Sequence, residues 1–305
     1  MRANPLGSVV NGAIAAFAIA GLVSCTYRQS GHRVDHVGGA AKCSRQCLIL
    51  FVDQYLASLP LHDPSRLPLA ASVKFTQNGR SLRVGEGLWQ TAGALGSYRV
   101  YVIDPDSSAA AVQTVLHDGS NVVQLLLRLK VIDNRISEIE TLVAREGDTC
   151  CWAPERLDAL PPTFDRRVPG REHVERNKLI GVADAYFTAL HTAGTPEYRG
   201  APVGVGMNRY ENGKQTTNVV LGANRITRWD ARTQLDSAMF GAISVVNRRY
   251  PVVDRENGTM LGIVLFQYPT SNRPSEIIAE LFKITGGEIR EIRAVMVKQA
   301  SSGWN

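Results

Sequence analysis

The feature that most restricts how this chain can fold is an internal repeat. Residues 129–143 read LKVIDNRISEIETLV and residues 282–296 read FKITGGEIREIRAVM. Each is an apolar strand, a tight turn and a second strand carrying Ile-x-Glu-Ile. The turn pairs Asp133-Asn134 and Gly286-Gly287 tolerate the positive φ angles of a two-residue hairpin, so both blocks predict antiparallel strand pairs. Two earlier segments repeat in the same order: VDQYLASL (52–59) with ADAYFTAL (183–190), and FTQNG (75–79) with RYENG (209–213). The spacing between partners grows from 131 to 134 to 153 residues, which puts insertions in the second copy, chiefly before its last hairpin.

Each copy reads as a long amphipathic helix, a short strand closed by an Asn-Gly turn, a brief helix and a run of long strands. The strands are expected near 97–103, 109–117, 121–132 and 135–145, and again near 243–254, 259–268, 275–285 and 288–298. A repeated sequence implies a repeated unit. The expected fold is therefore α+β with two tandem domains, 43–152 and 172–300, followed by a tail at 301–305. Pro154, Pro161 and Pro162 make 153–171 a proline-rich linker, expected as an extended tether.

The N-terminus has a different grammar. An apolar run over 9–23 closes on Leu22-Val23-Ser24-Cys25 and is shorter than the roughly 20 residues that span a bilayer comfortably. Residues 1–24 have the layout of a signal peptide, and Leu-Val-Ser-Cys resembles the lipobox of bacterial lipoproteins. That resemblance implies lipidation of Cys25, a flexible tether over 25–42, and an exported protein lipid-anchored in the cell envelope, on the periplasmic side or the cell surface. Membrane contact is expected through the anchor alone. Four cysteines remain: Cys43, Cys47, Cys150 and Cys151. In an exported chain an even number favours disulfides, which are expected to clip the ends of the first domain together. Free thiols are the alternative. Cys-x3-Cys plus a vicinal pair, with no histidine at ligand spacing, argues against a metal.

The formal charge is +6, and 27 of the 34 basic residues are arginine. They are scattered, and no basic run is interleaved with stacking aromatics, so nucleic acid is not expected as a partner. No Gly-x-Ser-x-Gly elbow, phosphate-cradling loop or dinucleotide fingerprint occurs, so no cofactor is expected. The sequence leaves a homodimer open.

The order of elements resembles the nuclear transport factor two-like, or SnoaL-like, superfamily. The stretches LPLA (67–70), GLW (87–89), LRLKV (127–131), EIET (138–141), ENGKQTTN (211–218) and RRYPVVD (248–254) are similar to those of an uncharacterised two-copy family of bacteria and fungi. The resemblance implies two cone-shaped domains, each a long helix packed in a strongly curved antiparallel sheet, with an apolar lining and a few polar groups at depth. A carboxylate held there has its pKa raised and suits acid–base work near neutral pH. The superfamily includes isomerases, dehydratases, epoxide hydrolases, lyases and non-catalytic binding proteins, so it implies shape more than chemistry.

Strand alternation supplies the candidates. Ile278, Glu280, Phe282 and Ile284 share the face that carries Leu125, Leu127, Leu129 and Val131 in the first copy, so Glu280 stands where the first copy has Leu127. Tyr210, Glu211, Asn212, Gln215, Thr216 and Asn218 form the densest polar cluster of the second copy, with Tyr186 on its long helix. Arg248 and Arg249 point to opposite faces, and one is expected to hold a carboxylate or an enolate oxygen. In the first copy His62 is a catalytic candidate and Trp89 a pocket-lining one. Two functions fit. One is a cofactor-independent lyase, dehydratase or isomerase acting on a small organic or sugar-acid substrate. Here Glu211 or Glu280 removes a proton while Arg248 and Asn212 hold the oxyanion. The other is a non-catalytic ligand-binding or scaffolding envelope lipoprotein.

Overall fold

A computed structural model describes residues 42–220, 226–237, 239–241 and 243–299. Cys25, the signal segment and the tail lie outside the described residues, as does all but the last residue of the expected tether. The described residues belong to one compact unit. Among the described residues no helix is long and apolar enough to cross a membrane.

The first domain opens with α1 (Arg45–Ser58), started by the Ser44 side chain, which accepts from the Cys47 amide. Strands β1 (Leu69–Gln77), β2 (Arg80–Leu82), β3 (Ala92–Asp104), β4 (Ala109–Asp118), β5 (Asn121–Ile132) and β6 (Arg135–Ala144) follow. They form one sheet in the order β2-β1-β6-β5-β4-β3. After the short α2 (Pro162–Asp165), the second domain repeats the plan. Its helix is α3 (Arg176–Thr192), and its strands are β7 (Val203–Glu211) and β8 (Lys214–Gln215), then β11 (Ser244–Asp254), β12 (Thr259–Gln267), β13 (Glu276–Thr285) and β14 (Glu288–Lys298). The insertion before β11 holds a small ribbon of β9 (Val219–Val220) and β10 (Ile226–Arg228), and α4 (Ala231–Asp236). The second sheet runs β8-β7-β14-β13-β12-β11, the same order strand for strand. The fold class is thus two tandem α+β cones. One detail differs from expectation: each sheet is mixed, because β1 pairs parallel with β6 and β7 parallel with β14.

Both long strands bend at register shifts, β3 at 92–99 and β11 at 246–252. A bulge kinks a strand and tightens its twist, which lets each sheet wrap its helix. The inner faces carry separate cores, Leu48, Val52 and Leu125 in the first domain and Phe187, Ile278 and Phe282 in the second. A third core lies between the sheets, where Val100, Ala111 and Leu126 meet Val252, Leu261, Ile263 and Leu281. Equivalent strands face one another there, so the chain makes within itself the self-complementary contact of a two-fold dimer.

The segment expected as an extended tether is packed instead. Ala153, Leu157, Phe164 and Val168 are buried, and Leu157 and Phe164 join the core between the sheets. The prolines stiffen the segment without keeping it off the body.

A reciprocal pair of ion bridges seals the join. Arg45, at the first turn of α1, bonds Asp254 at the end of β11. Arg176, at the first turn of α3, bonds Asp104 at the end of β3. Each aspartate is fully buried and also accepts a backbone amide from the other domain: Asp254 from Ile103 at 3.3 Å and Asp104 from Val253 at 2.9 Å. Removing one partner of a buried pair strands the other. Asp254→Asn and Asp104→Asn are each expected to destabilise the chain by about 3 kcal/mol. Urea unfolding would check this, and a loss confined to one aspartate would count against the symmetry.

Candidate functional site

The second cone contains a polar cluster built on β7. Alternation along that strand sends Arg209 and Glu211 to the inner face and Tyr210 outward, where the Arg293 guanidinium stacks on its ring at 4.2 Å. Arg209 is buried. It donates from Nε to Glu211 Oε1 at 2.8 Å and Thr216 Oγ1 at 3.1 Å, from Nη1 to the Tyr186 hydroxyl at 3.3 Å, and from Nη2 to Gln234 Oε1 at 2.7 Å. Its guanidinium also lies 5.0 Å from the Phe240 ring centre.

Glu280, on β13, is 3% exposed, and among the described residues its Oε2 has no hydrogen-bond partner. Burial pushes its carboxyl up to about 8, Arg209 pulls it down and Glu211 adds to the rise. Burial likewise pushes the Tyr186 hydroxyl up, so it stays protonated at neutral pH.

In front of this cluster lies a cavity of about 400 Å³, lined by Arg209, Glu211, Thr216 and Gln234 on one side and Trp229, Met239 and Phe240 on another, with Cys150 and Cys151 completing it. Glu280 and Tyr186 sit behind Arg209 and do not line it. The cysteines reach the second domain because the linker crosses its first hairpin. The Ala153 amide donates to Asn212 O at 2.9 Å, and a Cβ at Gly213 would come within 2.3 Å of Ala153 O. Only glycine allows so close a crossing there. Cys151 then donates to Glu211 Oε2 at 3.4 Å, with Cys150 Sγ 2.7 Å from Cys151 Sγ.

The first cone is filled where the second is polar. Phe75 stands for Arg209, Gln77 for Glu211 and Leu127 for Glu280, while Tyr55 keeps the place of Tyr186. Trp89, from the short helix after the first hairpin, is buried and donates to the Tyr55 hydroxyl at 3.0 Å. The Gln77 side chain accepts the Leu88 amide. Trp89 is therefore core packing, not a pocket wall.

Several expected residues are engaged elsewhere. Arg248 is held on α3 by Asp184 at 3.2 Å and Thr188 at 2.7 Å, because its side chain runs along the helix. Arg249 crosses to Glu140 of the first domain. Asn212 has φ +45° and bonds the Met296 carbonyl and amide, as Asn78 does with Val143, so it is a turn clamp in both copies. Gln215 and Asn218 both bond Asn208 and stiffen the following loop. His62, at φ +54°, bonds Ala92 O and ends a helical turn. Cys43 and Cys47 bond each other across the start of α1 instead of clipping the domain to Cys150 and Cys151, which are free thiols. Of the expected residues, the structure gathers Glu211, Glu280, Tyr186 and Thr216. It adds Arg209, Gln234, Phe240, Trp229, Met239 and the thiol pair to the surroundings of the cavity. Arg209 stands opposite Phe75 in the second repeated anchor, which is the signal that marks it.

A family model described as a domain of unknown function (DUF8021) matches residues 172–296. No curated protein matches the chain. Among solved structures, a candidate ketosteroid isomerase from Kribbella flavida DSM 17836 is similar at 21% identity, over 45% of this chain and 93% of that one, with a TM-score of 0.28.

The raised Glu280 carboxyl has a consequence for stability. Its ordinary value is 4.5 and its folded value about 8, so between those values the folded state keeps a proton that the unfolded chain releases. The associated stability is complete below about pH 4.5 and is lost as pH rises to about 8. Between pH 5 and pH 8 the parent is expected to lose stability relative to Glu280→Gln, on the order of a few kcal/mol. Parallel denaturant titrations that ran with the same slope in both proteins would refute this.

Proposed function

We propose that the second cone binds a small organic or sugar-acid molecule and acts on it by cofactor-independent acid–base chemistry, as a lyase, dehydratase or isomerase. The observation that carries this reading is an arginine flanked by two carboxylates at the floor of an open cavity, in the copy whose twin is filled by Trp89, Phe75 and Leu127. Glu211 is the carboxylate on the cavity wall. Its Oε1 is pinned by Arg209 and Thr216 while Oε2 is turned to the thiols. It takes the proton from a carbon next to a carbonyl, and Arg209 stabilises the oxygen on which charge gathers, having N–H groups beyond those bonded to its neighbours. Glu280 acts through Arg209 as a positioning residue. Protonated behind the guanidinium, it leaves that charge to Glu211 and to the substrate. Trp229, Met239 and Phe240 supply the apolar wall that a small organic body requires.

Deuterium uptake from D2O into a panel of cyclic ketones, terpenoid ketones and uronic acids, followed by proton NMR, tests this. Glu211→Gln is expected to lower the exchange rate of the accepted compound by about 10²-fold or more. Arg248→Ala should leave it near the parent rate. A Glu211→Gln protein as fast as the parent would remove the assignment.

The reading includes export and lipidation at Cys25. The leader layout supports it, and the Cys43–Cys47 disulfide is at home in an oxidising compartment. In a bacterial host fed labelled palmitate the chain should carry label in the membrane fraction, and Cys25→Ser should carry none. Label retained by Cys25→Ser would place the lipid elsewhere.

A further inference from the structure

We propose that Cys150, Cys151 and Glu211 form a binding site for a thiophilic divalent ion of the zinc class, its fourth coordination position open to the cavity of the second domain. The three residues come from segments about 60 apart in sequence, and their sulfur and oxygen atoms all lie within 4.8 Å of one another. Two sulfurs and a carboxylate oxygen are a donor set suited to zinc and cadmium, whereas magnesium and calcium take oxygen alone.

One edge of the cluster already has the length such an ion asks. With zinc–sulfur bonds of about 2.3 Å and zinc–oxygen bonds of about 2.0 Å, a tetrahedral site has a sulfur–oxygen edge of about 3.5 Å. Cys151 Sγ stands 3.4 Å from Glu211 Oε2. The sulfur–sulfur edge of such a site is about 3.8 Å, against the 2.7 Å between Cys150 and Cys151. Closing that difference asks a rotation of Cys150, the exposed member of the pair, while buried Cys151 stays in place.

The oxygen offered is also oriented from behind. Glu211 Oε1 accepts from Arg209 at 2.8 Å and Thr216 at 3.2 Å, so Oε2 is the atom left for the ion, and a ligand fixed in this way loses less freedom on binding. The backbone carrying the sulfurs is fixed too, by Asn212 Nδ2 donating to Thr149 Oγ1 at 3.1 Å and by the crossing at Gly213. Three protein ligands facing a cavity leave a position for water or a small molecule. On binding, each thiol releases its proton to solvent, and no electron changes hands.

This inference does not depend on the acid–base reading. An ion on Oε2 would occupy the oxygen that a substrate needs, so bound zinc is expected to stop deuterium exchange. Zinc capture itself is measured without substrate, so either reading can fail alone.

The test uses the full chain with Cys25, Cys43 and Cys47 changed to Ser, which leaves Cys150 and Cys151 as its cysteines. Reduced, metal-free protein is titrated with Zn2+ against a chromophoric chelator, with thermal unfolding to establish that each variant is folded. One equivalent at submicromolar affinity is expected, weakened at least ten-fold in Cys151→Ser, Cys150→Ser and Glu211→Gln. Unchanged affinity in folded variants, or no capture by the reduced parent, overturns the proposal. A protein isolated 2 Da light that ignores zinc even after reduction would do the same and assign the pair as a vicinal disulfide.

Discussion

The central strands of both sheets are buried on both faces, and that constraint obliges the two domains to cover one another. Every residue of β12 except Gln267 is buried, as is every residue of β13 except Thr285. A helix covers one face of such a sheet, and the other face needs a second surface. The twin domain supplies it, through strands that hold the same place in each sheet. Apolar contact is not directional, so the register of the join falls to the ion pairs across it. Arg45–Asp254 and Arg176–Asp104 each tie the first turn of one domain's helix to the strand end of the other, and Arg249–Glu140 lies between the sheets.

With the outer faces committed to the join, variation between the copies appears inside the cones. Exchanging Phe75 for Arg209, Gln77 for Glu211 and Leu127 for Glu280 converts a filled interior into a charged one on an unchanged strand order. Burying ions costs free energy unless they are paired and hydrogen-bonded. Arg209 meets that condition through Glu211, Thr216, Tyr186 and Gln234, while Glu280 escapes it at neutral pH by holding its proton. A chain selected for stability alone would keep the phenylalanine and the leucine. The retained charge is therefore an argument for use, and it falls in the copy that has an open cavity.

Much of this architecture was legible in the sequence because it follows from period and repetition. The strands expected from 109 to 145 and from 259 to 298 fall within a residue of those observed, since alternation and turn residues are local signals. Glu280 was legible for a related reason: comparison with Leu127 shows a charge on an apolar face. The same comparison exposes Arg209 opposite Phe75, but a polar cluster beside a turn draws attention to its turn residues first. Asn212 is the instructive case. It recurs as Asn78, and a residue shared by the filled and the open copy serves what they have in common, here the clamp on β6 and β14. Arg248 and Arg249 misled because alternation gives a face and not a partner. Their long side chains reached Asp184 and Glu140, which no local pattern connects to them.

The linker shows where local reading stops. Three prolines describe a stiff segment, yet whether it hangs free or lies on the body depends on surfaces assembled elsewhere. Here the hairpin of the second domain leaves a glycine at 213 where the carbonyl of Ala153 must pass, and Leu157 and Phe164 fill the seam between the sheets. The consequence is that two cysteines encoded at the end of the first copy stand at the cavity of the second. The first domain is thus more than a worn duplicate. Its outer sheet supports the floor on which Arg209 and Glu280 rest, and its exit strand delivers the thiols that face Glu211. The site belongs to the pair of domains, and a second copy expressed alone would lack both the covered sheet and the sulfur wall.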